Sequence, residues 1–221
     1  MSLKLGTNDI SQAAASIKTG ANNLDRIYDG TKLVWERGVT FSTTFGSMTG
    51  FTTSSTGSGI GTTGGEAYWN GTTDGYGSAE YLTTCNTNNQ YVGCVIGSYT
   101  NNSRASGLFM HDDGGLGGYY AVGFTTASTQ LVYTTGRWQQ NSITSYATTS
   151  GIASGDMVEM WNIGTTFYVA INTVIKITQT ISGAQINNRH YQGFGMYRAS
   201  FASSQRLADW YGGDAGANGK I

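Results

Sequence analysis

Between Thr165 and Thr180 the chain reads TTFYVAINTVIKITQT, two apolar runs broken at the middle by Asn172-Thr173. Phe, Tyr, Val and Ile suit a pleated, half-buried surface, so the stretch predicts two antiparallel strands joined by a tight turn. Just upstream, Gly155-Asp156 opens a third apolar run, MVEMWNI, and Gly164-Thr165 turns it into the hairpin. A meander of this kind buries one face and needs a second sheet to cover it. Further short runs supply candidates: Glu66–Trp69, Ala79–Leu82, Gln90–Tyr99, Gly107–His111, Tyr119–Thr125, Gln130–Thr135, Ser142–Thr148, Gly193–Tyr197 and Leu207–Tyr211. Residues 39–60 are rich in Thr, Ser and Gly, but Phe41, Phe45, Met48 and Phe51 would be wasted on a linker. They predict a first strand or two. About a dozen strands at roughly 8–12-residue spacing indicate an all-β fold, a two-sheet antiparallel β-sandwich or barrel.

Residues 1–38 differ from the rest of the chain and are expected to form a small N-terminal appendage, with the sandwich at 39–221. They carry much of the charge and a weak repeat. Lys4-Leu5-Gly6-Thr7-Asn8-Asp9-Ile10 matches Lys18-Thr19-Gly20-Ala21-Asn22-Asn23-Leu24, with a looser echo from Tyr28 to Trp35. Short alternating segments around Gly and Asn predict small hairpins. A helix over Ile10–Ile17 competes, because Ile10, Ala13, Ala14 and Ile17 keep helical spacing, with Asp9 as cap and Gly20 as stop.

Composition narrows the picture. Hydrophobic residues make up 38% of the 221, enough for a core, but charged residues only 11%. The usual charged fraction is about 25%, so Thr, Ser, Asn, Gln and Gly must wet the surface. With 33 Gly and no Pro, turns are made by Gly and Asn, and long helices are disfavoured. A net charge of −1 without a basic run excludes a nucleic-acid backbone reader. No apolar run approaches the roughly 18 residues that span a membrane. The first residues lack the apolar core of a cleaved export signal. Cys85 and Cys94 flank the turn NTNNQ, either as two buried small side chains or as a cross-strand disulfide, which geometry decides.

Two stretches resemble known families. Ile27 to Glu36, IYDGTKLVWE, resembles the attachment segments of actinobacteriophage virion proteins, chiefly minor tail proteins, where such an element precedes a sandwich domain. From Gly107 to Asp214 the order of elements resembles the concanavalin A-like (laminin G-like) jelly roll. The pieces are GLFMHDD, GGYYAVGF, QLVYTTG, GDMVEMWNIGTTFYVAIN and GFGMYRASFASSQRLADWYGGD. That resemblance implies a last strand beside the first, with Asp209-Trp210-Tyr211 near Phe41–Phe45. Where the superfamily turns on Asn-Gly, this chain has Asn172-Thr173. Thr disfavours positive φ, which leaves open a longer turn and the inward face of each strand.

The superfamily's hydrolases carry paired carboxylates on one strand, E-x-D-x-x-E, about 5–5.5 Å apart in a retaining mechanism. No such motif is present; Glu66, Glu80 and Glu159 each stand alone on their segments. Asp112-Asp113 reads as a turn before four glycines, and His111 as a polar residue at a strand end. No spacing singles out a metal site or a cofactor site. Trp69, Tyr76, Tyr119, Trp138 and Tyr191 sit beside Gly, Asn or Gln, and flat rings of this kind stack on sugars. Trp69, Tyr119 and Trp138 are taken as candidate glycan contacts, against the plainer alternative that they are half-buried sandwich residues.

Together the resemblances imply a non-enzymatic phage structural protein, a minor tail protein on the virion. Its appendage would dock onto other virion proteins through Ile27, Tyr28, Val34 and Trp35. Its jelly roll would reach host cell-envelope polysaccharide. A capsid-surface decoration protein is the alternative, and a glycoside hydrolase the least favoured. Assembly in the host cytoplasm and a homo-oligomer on the particle are further expectations.

Overall fold

The computed structural model describes residues 38–98 and 104–220 in full and, ahead of them, the backbone of six short strands between Lys4 and Glu36. Those strands pair as successive hairpins: β1 (Lys4–Leu5) with β2 (Asn8–Asp9), β3 (Ile17–Thr19) with β4 (Asn22–Leu24), and β5 (Arg26–Asp29) with β6 (Lys32–Glu36). Each copy of the sequence repeat therefore spans one hairpin. Residues 10–16, which carry most of the competing helix, lie outside the described residues, while Ile17 opens β3.

The rest of the chain contributes β7 (Thr40–Thr43), β8 (Phe51–Ser55), β9 (Ile60–Thr63), β10 (Glu66–Trp69), β11 (Gly75–Tyr81), β12 (Gln90–Ile96), β13 (Ser106–Asp112) and β14 (Tyr119–Phe124). After them come β15 (Ser128–Thr134), β16 (Thr144–Ser150), β17 (Met157–Ile163), β18 (Thr166–Ile171), β19 (Val174–Thr180), β20 (Tyr191–Ala199), β21 (Ala202–Ser203) and β22 (Leu207–Asp214). They form two antiparallel sheets. The first runs β19-β18-β17-β12-β22-β10-β9 with β7 beside β22; the second runs β16-β15-β14-β13-β20-β11-β8 with β21 beside β20. The expected two-sheet antiparallel sandwich is what the chain adopts.

Period-two alternation decides which side chains meet between the sheets. Val158 and Met160 of β17, Phe167 and Val169 of β18, and Val92, Cys94 and Ile96 of β12 face Leu108, Met110, Tyr120, Val122, Phe194 and Met196 across the core. Phe45 and Phe51 close one end. Phe51 meets Phe194, Trp210 and Tyr81 edge-on at 5.3, 5.1 and 5.1 Å between ring centroids, the arrangement that aromatic quadrupoles favour.

The meander β17-β18-β19 forms as expected, but its turn is not lengthened. Ile171 pairs with Val174, leaving Asn172 and Thr173 as a two-residue loop with φ of 51° and 66°. Asn172 stabilises this left-handed pair by accepting from Met157 N and donating to Asp156 Oδ1. The last strand lies beside the first, with Trp210 opposite Thr43 and Gly212 opposite Phe41. The buried Asp214 fastens that junction. Its carboxylate accepts from Val39 N at 2.7 Å, Asn86 N at 3.1 Å, Thr87 N at 2.8 Å and Thr87 Oγ1 at 2.9 Å. Gly38 passes so close that a Cβ there would lie 2.3 Å from Asp214 Cβ.

Cys85 and Cys94 are both buried and unbonded, and burial pushes both thiols up. No described helix is long and apolar enough to cross a membrane.

Candidate carbohydrate-contact site

The outer face of the second sheet is floored with glycine and lidded by tryptophan. Trp138, in the loop after β15, lies across Gly107, Gly123 and Gly195, where an added Cβ would come within 2.8, 2.7 and 2.2 Å of it. Its backbone N donates to Ser78 Oγ at 3.0 Å and its Nε1 to Ala105 O at 2.8 Å. Phe109, Tyr119, Ala121 and Val132 complete a second hydrophobic cluster beneath it. The expected sugar contacts are thus corrected. Trp138 and Tyr119 are fully buried, with the Tyr119 hydroxyl given to Gly136 O. Trp69 is 3% exposed, packs in the main core and donates its Nε1 to Thr73 O. None of the three presents a ring face to solvent. Glycines of the sheet, distant from Trp138 in sequence, make room for its ring to sink in. Tyr76 is half-buried and stacks on Tyr197 at 6.1 Å.

A second correction concerns the carboxylates. β13 keeps Leu108 and Met110 inward, then breaks register between Met110 and Asp112, with His111 at φ 61°. Such a bulge re-aims side chains. His111 turns into the core, its Nε2 2.9 Å from Asn162 Oδ1, and burial lowers its pKa to about 4. Asp112 comes out on the other face, beside Glu80 of β11. The intervening strand β20 offers only Gly193 at that height, paired with Glu80 on one side and Phe109 on the other. So Glu80 does not stand alone.

Burial raises the Glu80 pKa to about 8, and the hydrogen bond and charge of Asp112, with the charge of Asp113, add to it. At neutral pH Glu80 therefore keeps its proton and donates to Asp112. Asp112 Oδ2 accepts from Gly114 N at 3.0 Å and Leu116 N at 3.2 Å, and its Oδ1 has no main-chain donor. Asp113 is exposed and accepts from Gly115 N and Gly117 N, with Arg189 at 3.8 Å. The half-buried ring of Tyr191, opposite Asp112, flanks the pair and lies 2.8 Å from where a Gly114 Cβ would stand.

Two carboxyls in hydrogen-bond contact are closer than the separation that glycoside hydrolysis needs. Asp112 is fully buried, so what meets solvent here is the half-buried Glu80 and Tyr191 with the exposed Asp113, carboxyl oxygens beside an aromatic ring, which suit sugar hydroxyls. Among the described residues no group of three or more His, Cys, Asp or Glu is arranged to hold a metal. The expected docking residues Ile27, Tyr28, Val34 and Trp35 fall on the β5-β6 hairpin, with Ile27 paired to Trp35; their side chains lie outside the described residues.

No protein-family model matches the chain, and no curated protein matches it at the sequence level. Solved structures match its fold. The exoplasmic/lumenal domain of VIP36, solved with Ca2+ and Man3GlcNAc, aligns with a TM-score of 0.54 at 10% identity, over 72% of this chain and 82% of that one. The Emp46p carbohydrate recognition domain aligns at 0.56 and 5% identity, over 76% and 89%. The CBM2 module of the evolved Dit protein of Lactobacillus casei BL23 phage J-1 aligns at 0.52 and 14% identity, over 78% and 94%. The chain thus shares the fold of these domains, an all-β two-sheet antiparallel sandwich resembling L-type lectins.

Proposed function

We propose that this chain is a non-enzymatic, glycan-binding virion protein, a minor tail protein of a phage that infects actinobacteria. The observation that carries the binding half is the half-buried Glu80, propped by the buried Asp112 and set beside half-buried Tyr191 and the exposed Asp113 on the outer face of the second sheet. Its ligand would be host cell-envelope polysaccharide, whose hydroxyls would meet Glu80 and Asp113 while a ring stacks on Tyr191. The virion half is supported by the IYDGTKLVWE hairpin and by the fold likeness to a phage Dit module. Virion proteins would be its partners, several copies following particle symmetry.

Glycan-array and cell-pulldown binding of the full chain tests the first half. Asp113→Ala and Tyr191→Ala should each weaken binding about tenfold, a loss of roughly 1.4 kcal/mol. Binding of the parent chain to no glycan, or unchanged binding in both variants, defeats that reading. Deleting residues 1–38 should abolish incorporation into particles, and normal incorporation of the shortened chain defeats the docking reading. A capsid-surface decoration protein is the second reading. It is favoured by the edge strand β19, where Val174 and Ile175 are 54% and 52% exposed and suit packing against a neighbour. Labelling the chain on intact particles separates tail from capsid.

A further inference from the structure

The outer face of the first sheet holds a different arrangement. Tyr91 of β12 pairs directly with Trp161 of β17, and Gly93 pairs with Glu159. Because Gly93 has no side chain, the Tyr91 phenol lies over it; a Cβ there would be 2.7 Å from the hydroxyl. The hydroxyl thereby reaches Glu159 Oε1 at 3.0 Å, and burial with the adjacent carboxylate raises the phenol's pKa. Trp161 is held flat by Tyr168, stacked at 5.3 Å and 12°. Glu159 is 3% exposed and its Oε2 is buried without a partner among the described residues.

Into this cup comes the Lys220 ammonium. Nζ lies 2.7 Å from Glu159 Oε1, 4.9 Å from the Trp161 ring centroid and 5.4 Å from that of Tyr91. A buried carboxylate is costly unless paired, and ring faces favour an organic cation over a hydrated metal ion. The segment that delivers Lys220 is fastened locally. Ala215 N donates to Asn89 O, and beyond it Asn218 N, Gly219 N and Lys220 N donate to Asp214, Gly216 and Ala215 carbonyls. Among the described residues no strand pairing holds residues 216–220 to the sheet.

We propose that Tyr91, Trp161 and Glu159 form an ammonium-binding cage, occupied by Lys220 of the chain itself. It accepts an external primary ammonium, such as that of a de-N-acetylated amino sugar, when residues 216–220 lift away. The cage is on the opposite sheet from the Glu80–Asp112 pair and does not depend on that reading. Lys220 competes as a tethered ligand at an effective concentration in the millimolar range, so external cations should bind the parent chain about tenfold or more weakly than a chain lacking the Lys220 charge.

The test uses full-length Lys220→Met. Its thermal midpoint and tryptophan fluorescence are followed against n-butylammonium chloride, with sodium chloride at equal ionic strength as the reference. The cage predicts a lowered midpoint that butylammonium restores and sodium does not, and no restoration in Lys220→Met with Glu159→Gln. Glucosamine against N-acetylglucosamine then tells whether an amino sugar enters as well as a simple alkylamine. If Lys220→Met folds poorly, refolding with butylammonium should recover it. Equal behaviour in the two salts, failed recovery, or a response that survives Glu159→Gln overturns the proposal and leaves Lys220 a structural pin.

Discussion

The outer faces of the two sheets each withdraw a glutamate from full solvent, and they quiet its charge by different means. On the second sheet Glu80 is held by a proton, because burial disfavours its charge and Asp112 and Asp113 add a hydrogen bond and like charge. On the first sheet Glu159 is held by the Lys220 ammonium between two aromatic rings. The floors differ as well. Glycines under Trp138 make the second face a packed layer, while the first face carries half-buried Tyr168 and Tyr211. A proton comes from any solvent, so the first device follows pH. An ammonium must be brought, so the second follows whichever cation is present. Burying a carboxylate thus leads to two kinds of sensitivity, chosen by the neighbours.

Substitutions test that contrast. Trp138→Ala should destabilise the most, by about 3–5 kcal/mol in denaturant melts, because it empties a fully buried site above glycines that cannot fill it. Asp214→Ala comes next, at about 3 kcal/mol, since it strands several buried backbone donors at once. On the more open first face Tyr168→Ala should cost only about 1 kcal/mol. A loss there as large as for Trp138→Ala would erase the distinction between a packed and an open face.

The smallest effect is a slope. Glu80 binds its proton more tightly folded than unfolded, so its contribution is fully present below about pH 4.5 and lost as pH rises through about 8. Glu80→Gln keeps a donor for Asp112 and should match the parent near pH 5 but melt at higher temperature near pH 9. His111 acts at the other end. Its folded pKa is depressed to about 4, so its contribution is present above about 6.5 and lost as pH falls through 4. Midpoints across pH 4–9 read both limbs, and a Glu80→Gln profile parallel to the parent would remove the shared proton.

Much of the fold was legible in alternation. MVEMWNI, TTFYVAIN and VIKITQT carry their period openly, and the pairing of Trp210 with Thr43 follows the order of elements that the chain shares with the jelly roll. The candidate site was less legible, for reasons of geometry. Glu80 and Asp112 sit on strands separated in the sheet by β20, and the bulge at His111 reverses the side from which Asp112 emerges. Neither fact has a local signature. The sinking of Trp138 did have one. Gly107 in GLFMH, Gly123 in AVGF and Gly195 in GFGMY fall inside strands rather than at turns, and a strand glycine often marks the close approach of another group. Glu159 and Lys220 are joined only by the fold, and no spacing announces them.

The clasp at Asp214 also sets how the molecule would bear load. One carboxylate grips Val39 at the start of the sandwich, while Asp214 N returns a bond to Val39 O at 2.8 Å. Tension applied through anything ahead of Gly38 would reach this doubly bonded point first and only then the β7-β22 ladder. A module tethered by its front end would in this way be pulled against a paired stitch before the ladder itself takes the strain.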